Sequence, residues 1–541
     1  MSTMVEKLGT LWPEIILGLG ACACLATGLA RTASKRRLPV WVAGTSLLVA
    51  GVVVVCGPRG VEAGALPPLM GSYLKLIVVG VGFLLLLVAA HLPAHAQAGP
   101  DRAFDPADSM RGEFFAFFLF SLMGVMLCAG ADDLVWLFLA LELTSLPTYV
   151  MVATSQDRAG AQEAGVKYFF LGAMAAALFL YGFTLMYGAT GFTQFSAIRD
   201  SVAASGDMSP LFLCGLILAI VGVSFKIAAV PMHFYAADVY QGAATPVTAF
   251  LAFVPKTAGF IAILLLLGTV PGWATREPLL WLLWGMAALT MTVGNVLGLL
   301  QGSVKRVLAY SSIAHSGYML VGLLAGPGRG ETLGNGVAAV LFYLLVYGLG
   351  TLGAFAVLGC LESGGREADG FEDLSGLNRR SPLLAAILGV SVLSLMGLPP
   401  VAGFVGKLYL FGSAMTRAAE HPAFVWLVVI GVLNSAVAAV YYLRIIGACY
   451  FGAPNEHVRE RNVPARRIAA LVSVLGVLVL GVRGGRLVDA VREVSQRARQ
   501  TNVVARPVPG QTRGEASRPT NDAAAEIDMS RDRPKNDTVR F

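Results

Sequence analysis

Long runs of apolar residues separated by short polar segments dominate the chain. Most runs contain about 18 to 25 residues, which is the length that crosses a bilayer as an α-helix. Bounded by charges, glycines and prolines, these runs predict about fourteen transmembrane helices. The helices are expected to begin near residues 11, 39, 73, 113, 133, 163, 211, 243, 278, 307, 336, 382, 422 and 466. The pattern therefore predicts an all-α polytopic membrane protein.

Composition supports a membrane protein and excludes two other classes. Of the 541 residues, 56% are hydrophobic and 13% are charged, whereas about 25% are charged in an average soluble domain. The net charge of +7 does not indicate a nucleic-acid-binding protein, because the basic residues lie mostly in short loops and in the C-terminal segment rather than on one face. A soluble domain and a nucleic-acid partner are both excluded.

The basic residues of the loops predict the orientation in the membrane. If the first predicted helix runs from outside to inside, sixteen Lys and Arg residues lie in inner loops and six lie in outer segments before the tail. Lys and Arg favour the cytoplasmic side. We therefore expect the N-terminus outside and, with an even number of spans, the C-terminus outside as well.

Cysteines and glycines suggest no cofactor site. The seven cysteines lie in or beside apolar runs, without a Cys-x-x-Cys pair or a neighbouring histidine, so they are interpreted as small buried hydrophobic residues. Gly348, Gly350 and Gly353 fit a dinucleotide-binding spacing but lie inside an apolar helix, where close helix packing is the better explanation. We expect no redox centre, no nucleotide and no metal in this chain.

Four ionisable residues lie near the middle of predicted spans: Glu142, Lys226, Lys256 and Lys407. Each such group costs about 2.5 to 3.5 kcal/mol on insertion scales, so the four together would cost on the order of 10 to 14 kcal/mol if none were paired or hydrated. They are therefore expected to face the interior of the bundle, where partners or water compensate them.

Prolines accompany these four charges. A proline in a helix removes one N–H and frees a carbonyl that can bind water or a cation. Helix kinks that merely serve packing are the alternative for any one proline, but four charges beside prolines favour a hydrated polar route. The prolines are Pro147, Pro231, Pro255 and the pair Pro399 and Pro400.

Three further residues are candidates for a supporting role. His233 follows Lys226 by seven positions, and His315 lies in the segment AYSSIAHSGYML. Either histidine could relay protons near neutral pH, although each alone is equally compatible with a hydrogen-bonded structural role. Lys167 lies near the start of its span.

Several segments between residues 110 and 450 resemble a known family. They are similar to the antiporter-like subunits of bacterial NADH-quinone oxidoreductase (respiratory complex I), and DVYQGA with the following TPVTAF favours subunit N among them. The matching segments are LELTSLPTYVMVA, QEAGVKYFFLGAMAAALFLYG, FKIAAVPMHFYAADVYQGAATPVTAFLAFVPK, SVKRVLAYSSIAHSGYMLVG and SPLLAAILGVSVLSLMGLPPVAGFVGKLYLF.

The resemblance implies two inverted five-helix repeats with broken helices at spans 7 and 12. It also implies site roles: Glu142 pairs with Lys226, Lys256 connects onward, Lys407 is the exit-side titrating group, and Lys167 tunes the first pair. We expect five regions: N-terminal helices at 1–110, repeats at 111–270 and 271–450, a final transmembrane helix at 451–483, and a polar, disordered tail at 484–541.

The function that the resemblance implies is proton translocation, driven by electron transfer from NADH to quinone in partner subunits. NADH, FMN, iron-sulfur clusters and quinone would then belong to those partners. The expected neighbours are subunit M, small membrane subunits and the lipid of a bacterial inner (plasma) membrane. The alternatives are a subunit of a multi-subunit cation/proton antiporter or membrane-bound hydrogenase, and a scaffold subunit that does not pump.

Overall fold

The structure, a computed structural model, describes seven stretches of the chain. They are 9–29, 38–57, 64–90, 111–155, 159–328, 334–364 and 366–504.

Helices make up nearly all of the described chain, as the apolar pattern predicts. We number them in chain order: α1 Trp12–Gly28, α2 Leu38–Cys56, α3 Pro68–Ala89, α4 Arg111–Ala129, α5 Leu134–Ala153, α6 Ala159–Thr190, α7 Phe195–Ser205, α8 Pro210–Ser224, α9 Ala236–Gly242, α10 Thr245–Gly268, α11 Glu277–Leu299, α12 Val304–Ala325, α13 Gly336–Leu358, α14 Phe371–Leu374, α15 Leu377–Arg380, α16 Pro382–Met396, α17 Ala402–Met415, α18 Ala423–Phe451 and α19 Pro464–Val504.

Eleven helices among the described residues are long and apolar enough to cross a membrane. Three shorter apolar helices, α1, α8 and α16, accompany them. The all-α membrane class is therefore confirmed, while the number of fourteen crossings and the repeat relationship stay predictions. The last helix extends to Val504, beyond residue 483, where the sequence suggests that the final span ends. The remainder of the expected tail, 505–541, lies outside the described residues.

Two apolar helices are interrupted in the interior of the bundle. After α8 the chain forms turns from Phe225 to Tyr235 before α9 begins, and after α16 it forms turns from Gly397 to Val401 before α17 begins. Prolines that lack an N–H lie in both interruptions, at Pro231 and at Pro399 and Pro400. Each break therefore leaves main-chain carbonyls without helical partners inside the protein.

Three helices form the centre of the bundle. In α10, α12 and α13, 94% of the residues in the most apolar part of the helix are buried within the protein. In α2, α6 and α18 the corresponding share is 33%. A helix that is apolar on all sides suits such a central position. The outer helices leave their exposed apolar faces for lipid or for other membrane subunits.

A small sheet covers one end of the bundle. Its strands are β1 Leu361–Ser363, β2 Arg366–Glu367 and β3 Val458–Glu460, in the order β2-β1-β3 with antiparallel pairing. Glu362 of β1 lies opposite Glu367 in β2 and Arg459 in β3. The sheet thus connects the segment after α13 to the segment before α19.

Candidate functional site

Lys226 lies in the first break, two residues past the end of α8. Its side chain is 1% exposed, and its Nζ lies 3.6 Å from Glu142 Oε1 on α5. It also donates a hydrogen bond to the Ser145 hydroxyl, one turn further along α5. The carbonyl end of a helix favours a cation. Lys226 therefore has three sources of stabilisation for its charge: a carboxylate, a hydroxyl and the end of α8.

Lys256 lies in the middle of α10 and is 2% exposed. Its Nζ donates to the hydroxyls of Ser312 and Ser316 on α12, each at 2.8 Å, and to the Ser312 carbonyl. The Tyr347 ring faces the same ammonium, with its centroid 4.7 Å away. Hydroxyls and a ring face solvate this lysine, and no ion pair to it is found in the described residues.

Ser316 connects the two lysines. Its hydroxyl donates to the carbonyl of Ile227, the residue after Lys226, while it accepts the hydrogen bond from Lys256. A hydroxyl can donate and accept at the same time. A continuous set of polar contacts therefore runs from the first break through α12 to α10.

His315 lies on α12, 1% exposed, between two tyrosines. Its Nδ1 is 2.8 Å from the Tyr343 hydroxyl, and its Nε2 is 3.1 Å from the Tyr442 hydroxyl. The Tyr442 hydroxyl is also hydrogen-bonded to Ser311. Both ring nitrogens therefore have hydroxyl partners that can donate or accept, whichever tautomer the ring adopts.

Lys407 lies on α17, the helix that follows the second break, and is 5% exposed. Its Nζ donates to the Met396 carbonyl at the end of α16, at 2.8 Å, and lies 4.7 Å from the centroid of the Tyr318 ring. Like Lys226, it is thus placed at the carbonyl end of a broken helix. Both breaks place a lysine at the carbonyl end of a helix, but of these two lysines Lys226 is the one that also faces a carboxylate in the described residues.

Lys167 and His233 lie apart from these contacts. Lys167 is 43% exposed and forms ion pairs with Glu163 at 2.7 Å and with Asp238 at 2.9 Å. His233 is buried in the first break, where its ring packs against Phe234. Within the described part of the chain, no hydrogen bond or ion pair connects either residue directly to Lys226.

Sequence reasoning missed the hydroxyls that contact the lysines. Ser145 follows Glu142 by three positions, and Ser312 and Ser316 are four apart, which are the spacings that place side chains on one face of a helix. That periodicity was a usable signal. Tyr343 and Tyr347 have the same four-residue spacing, whereas Tyr442 comes from a distant part of the chain and had no such signal.

Two buried ion pairs also escaped the sequence analysis. Lys75 Nζ lies 2.6 Å from Glu14 Oε1, and the two side chains are 8% and 3% exposed. Lys305 Nζ lies 2.6 Å from Glu367 Oε2, where the side chains are 3% and 9% exposed. Burial by itself would raise the pKa of Glu367, but Lys305 and the hydrogen bonds from Thr245 outweigh it and hold that pKa below its usual value.

Metal ligands do not cluster in the described residues. No group of three or more His, Cys, Asp or Glu residues is found there that could hold a metal ion. The groups that lie together in the site are lysine side chains, a carboxylate, hydroxyls and an imidazole, all of which can carry or pass a proton.

Comparisons with known proteins agree on one family. Residues 131–437 match the family described as NADH:quinone oxidoreductase/Mrp antiporter, TM. The chain is 38% identical to NADH-quinone oxidoreductase subunit N of Trichlorobacter lovleyi over 484 residues, which cover 88% of this chain and 94% of that protein.

Solved structures show the same architecture. A chain of respiratory complex I from Thermus thermophilus is 32% identical, with a TM-score of 0.70, covering 88% of this chain and 99% of that one. A chain of the Mrp complex from Dietzia sp. DQ12-45-1b has a TM-score of 0.73 at 20% identity, covering 91% of this chain and 97% of that one. At that identity, the second likeness concerns the fold alone.

Proposed function

Since the chain belongs to the NADH:quinone oxidoreductase/Mrp antiporter family, and within it to subunit N of NADH-quinone oxidoreductase, we propose that Glu142, Lys226, Lys256 and Lys407 carry its proton path. The protein is a multi-pass subunit of a bacterial inner membrane, and proton translocation is its function. The proposal concerns the residues that move the protons and the partners that drive them.

The observation that carries the proposal is the burial of Lys226, Lys256 and Lys407 in the interior of the bundle. Of these three lysines, one has a carboxylate partner in the described residues. Lys226 has Glu142 at 3.6 Å, whereas Lys256 and Lys407 are held by hydroxyls, carbonyls and ring faces. A buried ammonium without a counter-ion is costly. The charge of such a lysine therefore depends on the few polar groups that face it, and a movement of those groups can make it bind or release a proton.

Movement of Glu142 relative to Lys226 would drive the transfer. With the carboxylate close, the ammonium form of Lys226 is favoured; as the carboxylate withdraws, the proton is released to the next group. The next polar groups after Lys226 are Ser316 and Lys256. Ser316 donates a hydrogen bond to the Ile227 carbonyl in the break, and Lys256 donates one to Ser316. His315 on α12, with Tyr343 on α13 and Tyr442 on α18, would relay protons onward, and Lys407 would release them on the exit side.

Energy for this cycle would come from partner subunits. We assign NADH, FMN, iron-sulfur clusters and quinone to those partners, and no redox chemistry to this chain. Subunit M and small membrane subunits are the proposed neighbours, on the resemblance to complex I. A cation/proton antiporter or membrane-bound hydrogenase subunit would have a similar fold, and a scaffold subunit would contain the same lysines without using them.

Variants of Lys226 test the proposal. In the assembled complex, Lys226→Ala should lower both proton pumping and NADH-linked quinone reduction, because a blocked proton step stalls a tightly coupled cycle. Lys226→Arg retains the charge but resists deprotonation, so it should be nearly as damaging. Both rates are measured in sealed vesicles with a pH-sensitive dye and by NADH absorbance.

A matched control separates proton transfer from the loss of any buried lysine. The double variant Glu14→Leu with Lys75→Met removes a buried lysine of the N-terminal helices together with its carboxylate partner, so no charge is left behind. It should assemble and pump normally. Normal pumping in both Lys226 variants would favour the scaffold alternative, and full activity of Lys226→Arg alone would indicate a purely electrostatic role.

A further inference from the structure

Lys407 has fewer polar partners than the other two buried lysines of the site. One hydrogen bond from its ammonium is found in the described residues, to the Met396 carbonyl. Lys256 donates to two hydroxyls and a carbonyl, and Lys226 faces a carboxylate. The Tyr318 ring, whose centroid lies 4.7 Å from the Lys407 Nζ, is therefore a main replacement for water, because a ring face attracts a cation most strongly where water is excluded.

The second break confines the Lys407 side chain. Gly397 has a φ of +85°, and a Cβ added there would lie 2.8 Å from the Lys407 Cδ. The stem of the lysine therefore occupies the space that a side chain at position 397 would need. Met396, one residue earlier, supplies the carbonyl for the ammonium. Because the break holds both the stem and the charge, the position of the Tyr318 ring decides how closely the two groups meet.

Asn295 on α11 anchors the Tyr318 ring. Its side-chain nitrogen donates a hydrogen bond of 3.1 Å to the Tyr318 hydroxyl, and its side-chain oxygen accepts one of 2.9 Å from the Tyr441 hydroxyl. Asn295 is fully buried, and Tyr318 is 1% exposed. Tyr318 lies on α12 and Lys407 on α17, so an amide of a third helix fixes the ring relative to the lysine.

The Asn295 amide is itself held in place. Its nitrogen also lies 2.8 Å from the Met291 carbonyl and 3.3 Å from the side-chain oxygen of Asn434 on α18. The Asn434 nitrogen in turn donates to the Thr292 hydroxyl at 3.3 Å. Buried polar groups are costly unless they are hydrogen-bonded, and a network whose members satisfy one another gives each side chain one orientation.

Resting on the proton path described above, we propose that the Tyr318 ring stabilises the charged form of Lys407, and that Asn295 is the positioning residue that holds the ring over the ammonium. Glu142 has the corresponding part at Lys226. The ring differs from a carboxylate because it carries no net charge. When Lys407 gives up its proton, no unpaired charge stays buried beside it. A neutral partner therefore suits a lysine that must release its proton.

Fluorination of the ring tests this role. A difluorotyrosine in place of Tyr318, with both fluorines away from the hydroxyl, keeps the shape and the hydrogen bond while the fluorines withdraw electrons from the ring face. The charged form of Lys407 should then lose part of its stabilisation. In the intact complex in sealed vesicles, the pH at which pumping falls to half of its maximum should move about one unit lower, because the lysine then holds its proton about tenfold less tightly.

Few other groups around Lys407 change charge in the measured range. The titratable side chains of the helices packed around it are His315 and Tyr318 on α12, Tyr343 on α13, and Tyr441 and Tyr442 on α18. The helix α16 contains no titratable residue. Phenols titrate at about pH 10 in water, so among these described groups the His315 imidazole is the other one that titrates near neutral pH.

Two of these tyrosines serve as matched controls. Tyr441 is bonded to the same Asn295, and Tyr343 is bonded to His315. Within the described part of the chain, no cation is found over either ring. Difluorotyrosine at position 441 or at position 343 should therefore leave the pH profile of pumping unchanged. A shift with the fluorinated residue at position 343 would show that the profile follows the imidazole.

Asn295 is tested through the same profile. Asn295→Leu removes the anchor, so the profile should move in the same direction, and fluorination of Tyr318 should add little in this background. Asn434→Leu is the control and should shift the profile less, because of these two amides Asn295 is the one bonded to Tyr318. Tyr318→Phe breaks the same hydrogen bond from the other side, and it replaces Asn295→Leu if that variant fails to assemble. A residue needed for packing alone would lower the rate without moving the profile.

Three outcomes would overturn the proposal. The fluorinated Tyr318 could leave the profile unchanged, the controls at 441 or 343 could move it as far, or the profile could stay in place when the hydrogen bond to Asn295 is lost. Lys407→Met, measured in parallel, separates these failures from a failure of the proton path. If Lys407→Met stalls pumping, the role of the ring fails and the path stands. If Lys407→Met pumps normally, Lys407 is outside the path and both fail.

Discussion

The Lys305 and Glu367 pair gives the sharpest prediction of stability. Glu367 accepts the ammonium of Lys305 at 2.6 Å and both the N–H and the hydroxyl of Thr245, at 2.9 and 2.7 Å. These bonds fasten β2 to the beginnings of α10 and α12. Glu367→Gln would leave Lys305 buried with the Ala243 carbonyl, 3.2 Å away, as a remaining acceptor.

The size of the effect follows from burial. Removing one partner of a buried ion pair costs about 3 to 5 kcal/mol, because the other charge stays buried. A glutamine oxygen can still accept from Thr245, so we expect the lower end, about 3 kcal/mol. Since about 1.4 kcal/mol corresponds to a tenfold change, local opening of the sheet should become roughly 100-fold more frequent. The Arg366 and Asp373 pair, with its arginine half exposed, should contribute about 1 kcal/mol or less.

Hydrogen exchange measures this opening directly. The amides to follow are Ala368, which donates to Leu361, and Val304, which donates to Asp369. Glu367→Gln should exchange about 100-fold faster at these amides, and Arg366→Ala should change them less than tenfold. The double variant Lys305→Met with Glu367→Leu should return close to the wild-type rate, because an apolar replacement leaves no buried charge.

The same pair has a defined pH dependence. The pKa of Glu367 is held below its usual value, so its contribution is fully present above the unfolded-state pKa of about 4.3 and is lost as the pH falls through the lower folded-state pKa. The difference between Glu367→Gln and the wild type should therefore disappear in strong acid. Equal exchange of the two proteins at pH 7, or a double variant as fast as the single one, would refute the reasoning.

Three further predictions concern other parts of the chain. Lys407→Glu should retain more proton-coupled activity than Lys407→Met, because a titratable group can replace a proton carrier; equal pumping by both variants would remove Lys407 from the path. Gly403→Ala should destabilise the protein by about 1 to 3 kcal/mol, since its methyl group would collide with the Ser394 carbonyl, whereas Gly447→Ala meets open space and should be tolerated in a thermal unfolding assay. Deletion of residues 506–541 should leave assembly intact on native gels, and loss of the complex would show that this segment binds a partner.

The helices could be predicted from the sequence, and so could the burial of Lys226, Lys256 and Lys407, because both follow from local physics. An apolar run of about 20 residues has few alternatives to a membrane helix, and a lysine in its middle must be compensated. Prolines beside Lys226 and Lys407 indicated broken helices, and the chain is interrupted there. Such signals are readable from a few neighbouring residues.

The partners of these groups could not be predicted in the same way. That Lys167 tunes the Glu142 and Lys226 pair stays a prediction, but its ion pair with Asp238, which is 71 positions away, had no signal in the sequence. Glu14 gave no signal, because it lies in the first turn of its helix, where a charge is common. Lys75 gave none because it lies close to residue 73, where the sequence suggests that its span begins, although the helix starts at Pro68. Contacts between distant helices depend on packing, which one sequence does not reveal.

Asp238 has a mechanical consequence. Its two oxygens form ion pairs with Lys167 on α6 and with Arg306 on α12. The short helix α9 is therefore linked to one helix before residue 270 and to one helix after it. Transporters that alternate access by rocking one repeat against the other need an interface that can slide. Because both ion pairs of Asp238 are partly exposed, each contributes about 1 kcal/mol or less. They would therefore position α9 between α6 and α12 in the resting structure without preventing such a movement.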